Sequence, residues 1–334
     1  MWNRILTYAV IVTVVVTALA AGLLWLADRW WLGTVVAYAP RWLWGLPLPV
    51  LLIATLVWQR WKLLGLVGLA TLVFGFLILG CELPSPFAGG APDRLVRVMT
   101  SNIGGGPPVS IEFLVRTLEE AGVDVAAFQE CKTEWAPAST HAWHTHSIYG
   151  MCLFSRFPIR KVDVRDPRDM WQRNGAGLMI RYELESPLGT IDVVNVHLET
   201  VREGMDEVLR RLWRGAPEMR KNIEQRRFES EVARAFVQAS PAPVIVIGDF
   251  NLPVESGIYR ASWTGLTNAF SSAGFGLGYT KHTSWHGIRI DHVLLGPGLR
   301  PVRAWVGETV VGYDHTPMLA DVALAANAAR GHGK

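Results

Sequence analysis

Three scarcities bound this sequence before any motif is read. Charge is the first: only 18% of the 334 residues are charged, 50% are hydrophobic, and the net charge is +3. That excludes a disordered or collagen-like chain and points toward a membrane. Cysteine is the second. Cys81, Cys131 and Cys152 are too few for a disulfide framework or a structural zinc site, and no Cys-x-x-Cys spacing occurs. Nothing in the sequence alone brings the Cys131 and Cys152 sulfurs together. The third scarcity lies in the apolar runs of the first eighty residues, where no ionisable side chain sits mid-span. A transport pathway would need one.

What is abundant is apolar length. Residues 5–27 form one unbroken apolar run, enough to cross a hydrocarbon core of roughly 30 Å. Runs at 43–58 and 63–80 follow, the first of them carrying Gly45, Pro47 and Pro49 near its start. Trp2, Trp25, Trp30, Trp31, Trp42, Trp44, Trp58 and Trp61 flank these runs, as interfacial aromatics do. Residues 1–81 therefore read as a transmembrane anchor of about three helices. Residues 82–93, with Pro84, Pro86, Gly89, Gly90 and Pro92, read as a linker. Arg4, and Arg60 with Lys62, mark cytoplasmic ends. Three spans that start inside leave the remainder outside the cytoplasm; losing the second span alone would reverse the side. The basic excess is confined to the anchor. Residues 81–334 carry 27 basic against 28 acidic side chains, so the soluble part lacks the basic face of a nucleic-acid binder.

Beyond the linker, short apolar runs alternate with amphipathic ones. Strands are expected at 95–99, 123–128, 150–155, 158–163, 179–184, 190–196, 244–247, 288–295 and 318–325. Helices are expected after Ser110, a plausible cap for Ile111, Leu114, Val115 and Leu118, and over 226–238. Layering of this kind over residues 94–328 makes one large α/β domain. The polar residues are informative by position: Asn102, Glu130, His197, Asp249 with Asn251, Asp291 with His292, and Asp314 with His315 each stand at the end of an apolar strand. A rigid sheet delivers reactive groups to one place in this way.

Seven motifs recur in order: Met99-Thr100-Ser101-Asn102, Gln129-Glu130, Ser155-Arg156-Phe157-Pro158-Ile159, Asn195-Val196-His197-Leu198, Gly248-Asp249-Phe250-Asn251, Ile290-Asp291-His292, and Asp314-His315. The set resembles the endonuclease/exonuclease/phosphatase superfamily. The resemblance implies a four-layer α/β sandwich of two mixed sheets, deoxyribonuclease-like, following the helical membrane region. It also implies divalent-metal-dependent hydrolysis of a phosphoester or pyrophosphate. Glu130, a hard oxygen donor, suits Mg²⁺ (or Mn²⁺), with Asn102 and Asp314 completing or orienting that shell. By the same likeness Asp249 positions or deprotonates water, and Asn251 bonds the developing phosphorane; two residues apart on an extended segment, both point to one side. Asp291 and His315 resemble the carboxylate–histidine pair, with His315 a base or a cationic clamp. His197 donates to phosphate or protonates the leaving group, and Arg156 contacts phosphate. His292 faces away by strand alternation.

The layout resembles membrane-anchored bacterial members of the superfamily of the teicoplanin-resistance type, which implies a polyprenyl pyrophosphate substrate. Anchoring favours a substrate that shares the bilayer, a membrane lipid or lipid-linked phosphate. An anchored extracellular nuclease is the alternative, which the −1 charge of the soluble part disfavours. A non-catalytic membrane scaffold is the third reading, against which the intact motif set speaks.

Overall fold

The structure is a computed structural model and describes residues 2–84, 92–106, 110–131, 142–308 and 313–325. The chain divides into two compact units.

The first unit comprises Met1–Cys81 with the short segments Glu255–Gly257 and Ser284–Gly287. Its helices are α1 (Trp2–Trp25), α2 (Trp31–Tyr38), α3 (Pro47–Val57) and α4 (Trp61–Val73), the last prolonged by a π turn over Phe74–Ile78. Leu6, Val10, Leu48, Leu51, Leu63 and Val67 pack together. Leu19, Val50, Ile53, Leu69 and Leu72 are left exposed, each by more than half, as a lipid-facing surface would be. α1 and the continuous helix Trp61–Ile78 are long and apolar enough to cross a membrane. The second expected span differs. α3 has 11 residues, too short to cross alone at 1.5 Å per residue, and the chain bends by 87° between Trp31–Tyr38 and Arg41–Val57. Pro40, which cannot continue a helix, lies at that break, and Pro47 opens α3. Among the described residues, this unit thus has two helices long and apolar enough to cross a membrane, or three candidate spans if the bent pair counts as one.

In the second unit the strands run β1 (Val96–Asn102), β2 (Val125–Gln129), β3 (His144–Ile148), β4 (Met151–Ser155), β5 (Ile159–Val164), β6 (Leu178–Ser186), β7 (Gly189–His197), β8 (Val244–Asp249), β9 (Thr267–Asn268), β10 (Lys281–His282), β11 (Gly287–Ile288), β12 (Asp291–Leu295), β13 (Leu299–Val306) and β14 (Met318–Leu324). Two six-stranded mixed sheets form, in the orders β13-β14-β1-β2-β4-β3 and β5-β6-β7-β8-β12-β9. Their inner faces make the main core by alternation: Val96, Val98, Val125 and Ala127 from one sheet meet Ile180, Tyr182, Val193, Ile245, Ile247 and Val293 from the other. The alternate residues Met99, Ala126, Phe128 and Phe154 face outward onto Leu114 and Leu118 of α5 (Ile111–Glu120). Ser110 caps that helix as expected, accepting from Phe113 N at 3.2 Å.

After the short α6 (Arg168–Trp171), α7 (Arg202–Arg211) leads into α8 (Ala216–Gln238), and α9 (Gly257–Ser262) and α10 (Ala269–Ala273) complete the helices. α8 covers the outer face of the second sheet, where the Arg181 guanidinium stacks 5.0 Å from the Phe236 ring. The result is the expected four-layer sandwich. α8 begins ten residues before the apolar pattern suggested, because its first turns bury Met219, Asn222 and Arg226 rather than a purely apolar stripe. The sequence leaves the cysteine redox state open, with Cys131 and Cys152 able to pair; in the structure they are disulfide-bonded, Cα atoms 6.2 Å apart. Pairing of Phe128 with Cys152 across β2 and β4 brings them together, a register no composition reveals. Linker residues 85–91 lie outside the described residues.

Candidate active site

One edge of the two sheets collects the strand ends. In the first sheet Asn102 pairs with Gln129 across the parallel strands β1 and β2. In the second, His197 and Asp291 both pair with Asp249, through β7–β8 and β12–β8. Gly248 makes the close approach possible. Its φ is +149°, and a Cβ there would stand 1.9 Å from the Val196 carbonyl oxygen, so the residue before the central aspartate must be glycine.

Asp249 is the hub. It is fully buried at 1% exposure, and its Oδ2 accepts from Asn102 Nδ2 at 3.1 Å. The same oxygen lies 3.7 Å from His315 Nε2 and 3.9 Å from His197 Nε2. Its Oδ1 accepts from Asn251 N at 2.9 Å. Burial, with the Asp291 charge, pushes the Asp249 pKa up, while His315, His197 and Asn102 work against that rise. Behind it, His315 Nδ1 meets Asp291 Oδ2 at 2.9 Å. Burial lowers the imidazole pKa, but Asp291 and Asp249 raise it by more, to about 9. Burial would raise Asp291, yet His315 holds it below the ordinary carboxylate range. The pair is an imidazolium–carboxylate ion pair at neutral pH.

Glu130 lies on the open side of this hub. Its carboxylate is half-exposed, 3.7 Å from His197 Nε2, and accepts from Asn102 Nδ2 at 2.9 Å. Glu130 and Asn251 both have positive φ, +55° and +51°, uncommon for residues with side chains and concentrated at functional sites. Gly104 shapes the carboxylate's seat, since a Cβ there would fall 1.9 Å from Glu130 Oε2. A half-exposed carboxylate of this kind suits a hard divalent cation that keeps several waters, with Asn102 Nδ2 and His197 Nε2 as its neighbours. Asp249, Asp291 and His315 form a second group whose ligand atoms lie within 4.8 Å of one another and could hold a metal.

Asn102, Glu130, His197, Asp249, Asp291 and His315 therefore converge. Three expectations are corrected. Arg156 stands at the far end of the sheet: its N donates to Asp124 O, and its guanidinium donates to Val123 O at 3.1 Å and lies 4.6 Å from the Trp143 ring centroid. β2 runs from that end to Glu130, which removes Arg156 from any phosphate held here. Asp314 turns outward, its carboxylate half-exposed and paired with Lys281 Nζ; the Lys281–His315 bridge sets that direction. Asn251 is related to Asp249 by a tight turn rather than by strand alternation, and its Nδ2 donates to Leu198 O at 2.8 Å, so it ties the β7–α7 loop. His292 faces away from the cluster, its Nε2 on Leu252 O at 2.7 Å.

Two supporting networks escaped the sequence reading. Between the sheets, Gln129 Nε2 donates to Asn195 Oδ1 at 2.7 Å, and the Asn195 amide donates to the Phe128 and Cys152 carbonyls. From α8, Asn222 Nδ2 donates to Thr200 O at 2.7 Å, Arg226 Nη2 to Asn251 O at 3.2 Å, and Glu229 Oε2 accepts from Glu199 N at 2.7 Å. One helix thus clamps the loops that follow His197 and Asp249. Its signal was present: Asn222, Arg226 and Glu229 share the stripe of Met219, Ile223 and Ala233. Burial and the Glu229 charge raise Glu199 to about 7.

Solved structures with this fold include D. rerio TDP2 complexed with a single-strand DNA product (14% identity, TM-score 0.52, covering 69% of this chain and 100% of that one). An endonuclease/exonuclease/phosphatase protein from Bacteroides vulgatus is similar at 17% identity and TM-score 0.52, covering 70% and 100%. So is the 3' phosphatase NExo from Neisseria, bound to a product DNA hairpin, at 17% and 0.51, covering 69% and 99%. At these identities the likeness is one of fold. Among curated proteins none matches. The sequence over residues 99–320 matches the family model described as Endonuclease/Exonuclease/phosphatase family, so the chain belongs to that family and is a metal-dependent phosphohydrolase.

Proposed function

We propose that this protein is a membrane-anchored, Mg²⁺-dependent hydrolase of a lipid-linked phosphate or pyrophosphate, its catalytic domain outside the cytoplasm. The observation that carries the reading is Asp249, a buried carboxylate facing two imidazoles beside the half-exposed Glu130. Glu130, with Asn102, would hold the metal; when bound, a divalent ion neutralises the phosphoryl oxygens. Asp249 takes the proton of the attacking water, its raised pKa making it a stronger base than an exposed aspartate. His315 stays charged at neutral pH, which favours a clamp on a phosphoryl oxygen over a role as base. His197 Nε2, 3.9 Å from Asp249 Oδ2 and 3.7 Å from Glu130 Oε1, can give a proton to the leaving oxygen.

Three considerations support the substrate class and location. The apolar helices α1 and Trp61–Ile78 favour a bilayer-borne substrate. The Cys131–Cys152 disulfide fits an oxidising compartment. Arg4, Arg60 and Lys62 fit cytoplasmic ends of three spans, with the bent pair as the second. An anchored nuclease is the second reading, favoured by the DNA products in two similar structures and opposed by the soluble part's net charge of −1. The purified full chain, assayed with Mg²⁺ or EDTA against polyprenyl pyrophosphate, sphingomyelin, phosphoinositide and DNA, separates them. EDTA-sensitive phosphate release from the prenyl substrate is expected; acid-soluble nucleotides from DNA without prenyl turnover would reverse the ranking.

A further inference from the structure

The turn between α7 and α8 carries a surface that the catalytic site does not use. α7 buries Gly204 and Val208, with the bare Cα of Gly204 set against Met219 of α8. Past Val208 the chain turns outward. Leu209, Leu212 and Trp213 are 70%, 60% and 69% exposed, and Arg210, Arg211 and Arg214 are exposed among them. No acidic residue occurs from 208 to 217; Glu207, one turn back, meets Arg210 and Arg211. Leu212 adopts φ +53°, a left-handed conformation uncommon outside glycine, at the tip of this turn. Three large apolar side chains held in water within five positions, ringed by three guanidinium groups, form a patch that calls for a partner.

We propose that Leu209–Arg214 is a membrane-docking element: Leu209, Leu212 and Trp213 enter the interfacial layer of an anionic bilayer, and Arg210, Arg211 and Arg214 bind its lipid phosphates. Charge selects this occupant, because arginine forks match phosphate oxygens and the three arginines, offset by Glu207 alone, leave residues 207–214 at +2. The pattern of tryptophan and leucine beside arginine is that of interfacial segments. The chain supplies the bilayer itself, since α1 and Trp61–Ile78 are long and apolar enough to cross one. A consequence follows for catalysis, and it rests on the lipid-linked reading above. α7 starts five residues after His197 and is about 15 Å long, and Asn222 of α8 clamps its approach at Thr200 O. Docking of the tip therefore fixes the height of the catalytic edge above the lipid phosphates.

The test uses the full chain with Cys81→Ser and Leu212→Cys, labelled at 212 with an environment-sensitive nitrobenzoxadiazole dye. It is reconstituted in phosphatidylcholine vesicles with or without phosphatidylglycerol. The expected result is blue-shifted emission, quenched by doxyl-labelled lipids, in phosphatidylglycerol vesicles, and lost when Arg210, Arg211 and Arg214 are changed to Gln. A water-like emission in every vesicle overturns the proposal. So does a shift independent of phosphatidylglycerol, or one that follows protein density and so reports a second copy of the chain. In parallel, Leu209→Ser/Leu212→Ser/Trp213→Ser should raise KM for a vesicle-borne phosphate substrate roughly tenfold and leave hydrolysis of soluble bis(p-nitrophenyl) phosphate unchanged. Equal loss on both substrates would contradict docking. Dye insertion without any lipid-substrate turnover would keep the docking surface and refute the substrate class instead.

Discussion

Replacing Asp291 by Asn should turn His315 from a cation into a neutral ring at working pH, and the structure sets the size of the change. The imidazole is 4% exposed with Nδ1 2.9 Å from Asp291 Oδ2. Its pKa of about 9, against an ordinary 6.5, corresponds to about 3 kcal/mol in favour of the imidazolium. At pH 7.5 the wild-type ring is then charged about thirty to one. Without the Asp291 charge, burial opposes the charged form and only Asp249 favours it, so the pKa falls toward or below 6.5 and about one ring in ten or fewer stays charged. If His315 clamps a phosphoryl oxygen as a cation, kcat at pH 7.5 drops with the charged fraction, by about tenfold at a pKa of 6.5 and by more if the pKa falls lower. The alkaline limb of the pH–rate profile moves down from near 9 by two units or more. The sign for stability is the same. A histidine raised on folding contributes stability that is complete below 6.5 and lost as pH rises through about 9, so Asp291→Asn should flatten the fall in Tm over that window. Histidine ¹³C NMR titration and kcat profiles from pH 5 to 10 read both effects. An alkaline limb that stays near 9 in Asp291→Asn would show that Asp291 does not set the charge of His315.

Other outcomes follow from the same geometry. Asp249→Asn should cost 10²- to 10⁴-fold in kcat, the range for a general base, with the circular dichroism spectrum unchanged. Arg156→Ala should leave KM for the phosphate substrate within about twofold, because loss of one ligand contact would cost tenfold or more; a larger rise would return Arg156 to the site. Cys131→Ser/Cys152→Ser opens a link across 21 residues and should destabilise the domain by about 3 kcal/mol, lowering Tm by roughly 10 °C. Glu199, raised to about 7 on folding, contributes stability that is complete below 4.5 and lost as pH rises through about 7; Glu199→Gln should therefore narrow the Tm gap between pH 5 and pH 8.

Much of this architecture was legible in the sequence. The inner strands of both sheets are short apolar runs, and motif residues ending them, such as Asn102 and Asp249, sit where a parallel pair must deliver them. Of the edge strands, β5 was legible, but β3, β9 and β13 were not. β13 carries Pro301 at a register shift and charged Arg300 and Arg303, so no clean alternation marks it. β3 reads His-Thr-His-Ser-Ile, polar because it is an edge. Spacing misled where a neighbour decides direction: Lys281 draws Asp314 outward, Trp143 and Val123 hold Arg156, and the turn at Asn251 replaces the extended geometry assumed for it. The α8 clamp was hidden because Asn222, Arg226 and Glu229 occupy core positions of a helix, where polar residues have meaning only once their partners on other loops are known.

If these strand ends serve one divalent ion seated on Glu130, the metal requirement must follow that carboxylate. Phosphate release titrated with Mg²⁺ in the wild type, Glu130→Gln and Asp314→Asn reads that dependence. The Mg²⁺ requirement should rise about 10- to 100-fold in Glu130→Gln and stay put in Asp314→Asn. An unchanged Mg²⁺ dependence in Glu130→Gln would contradict a metal seat on Glu130.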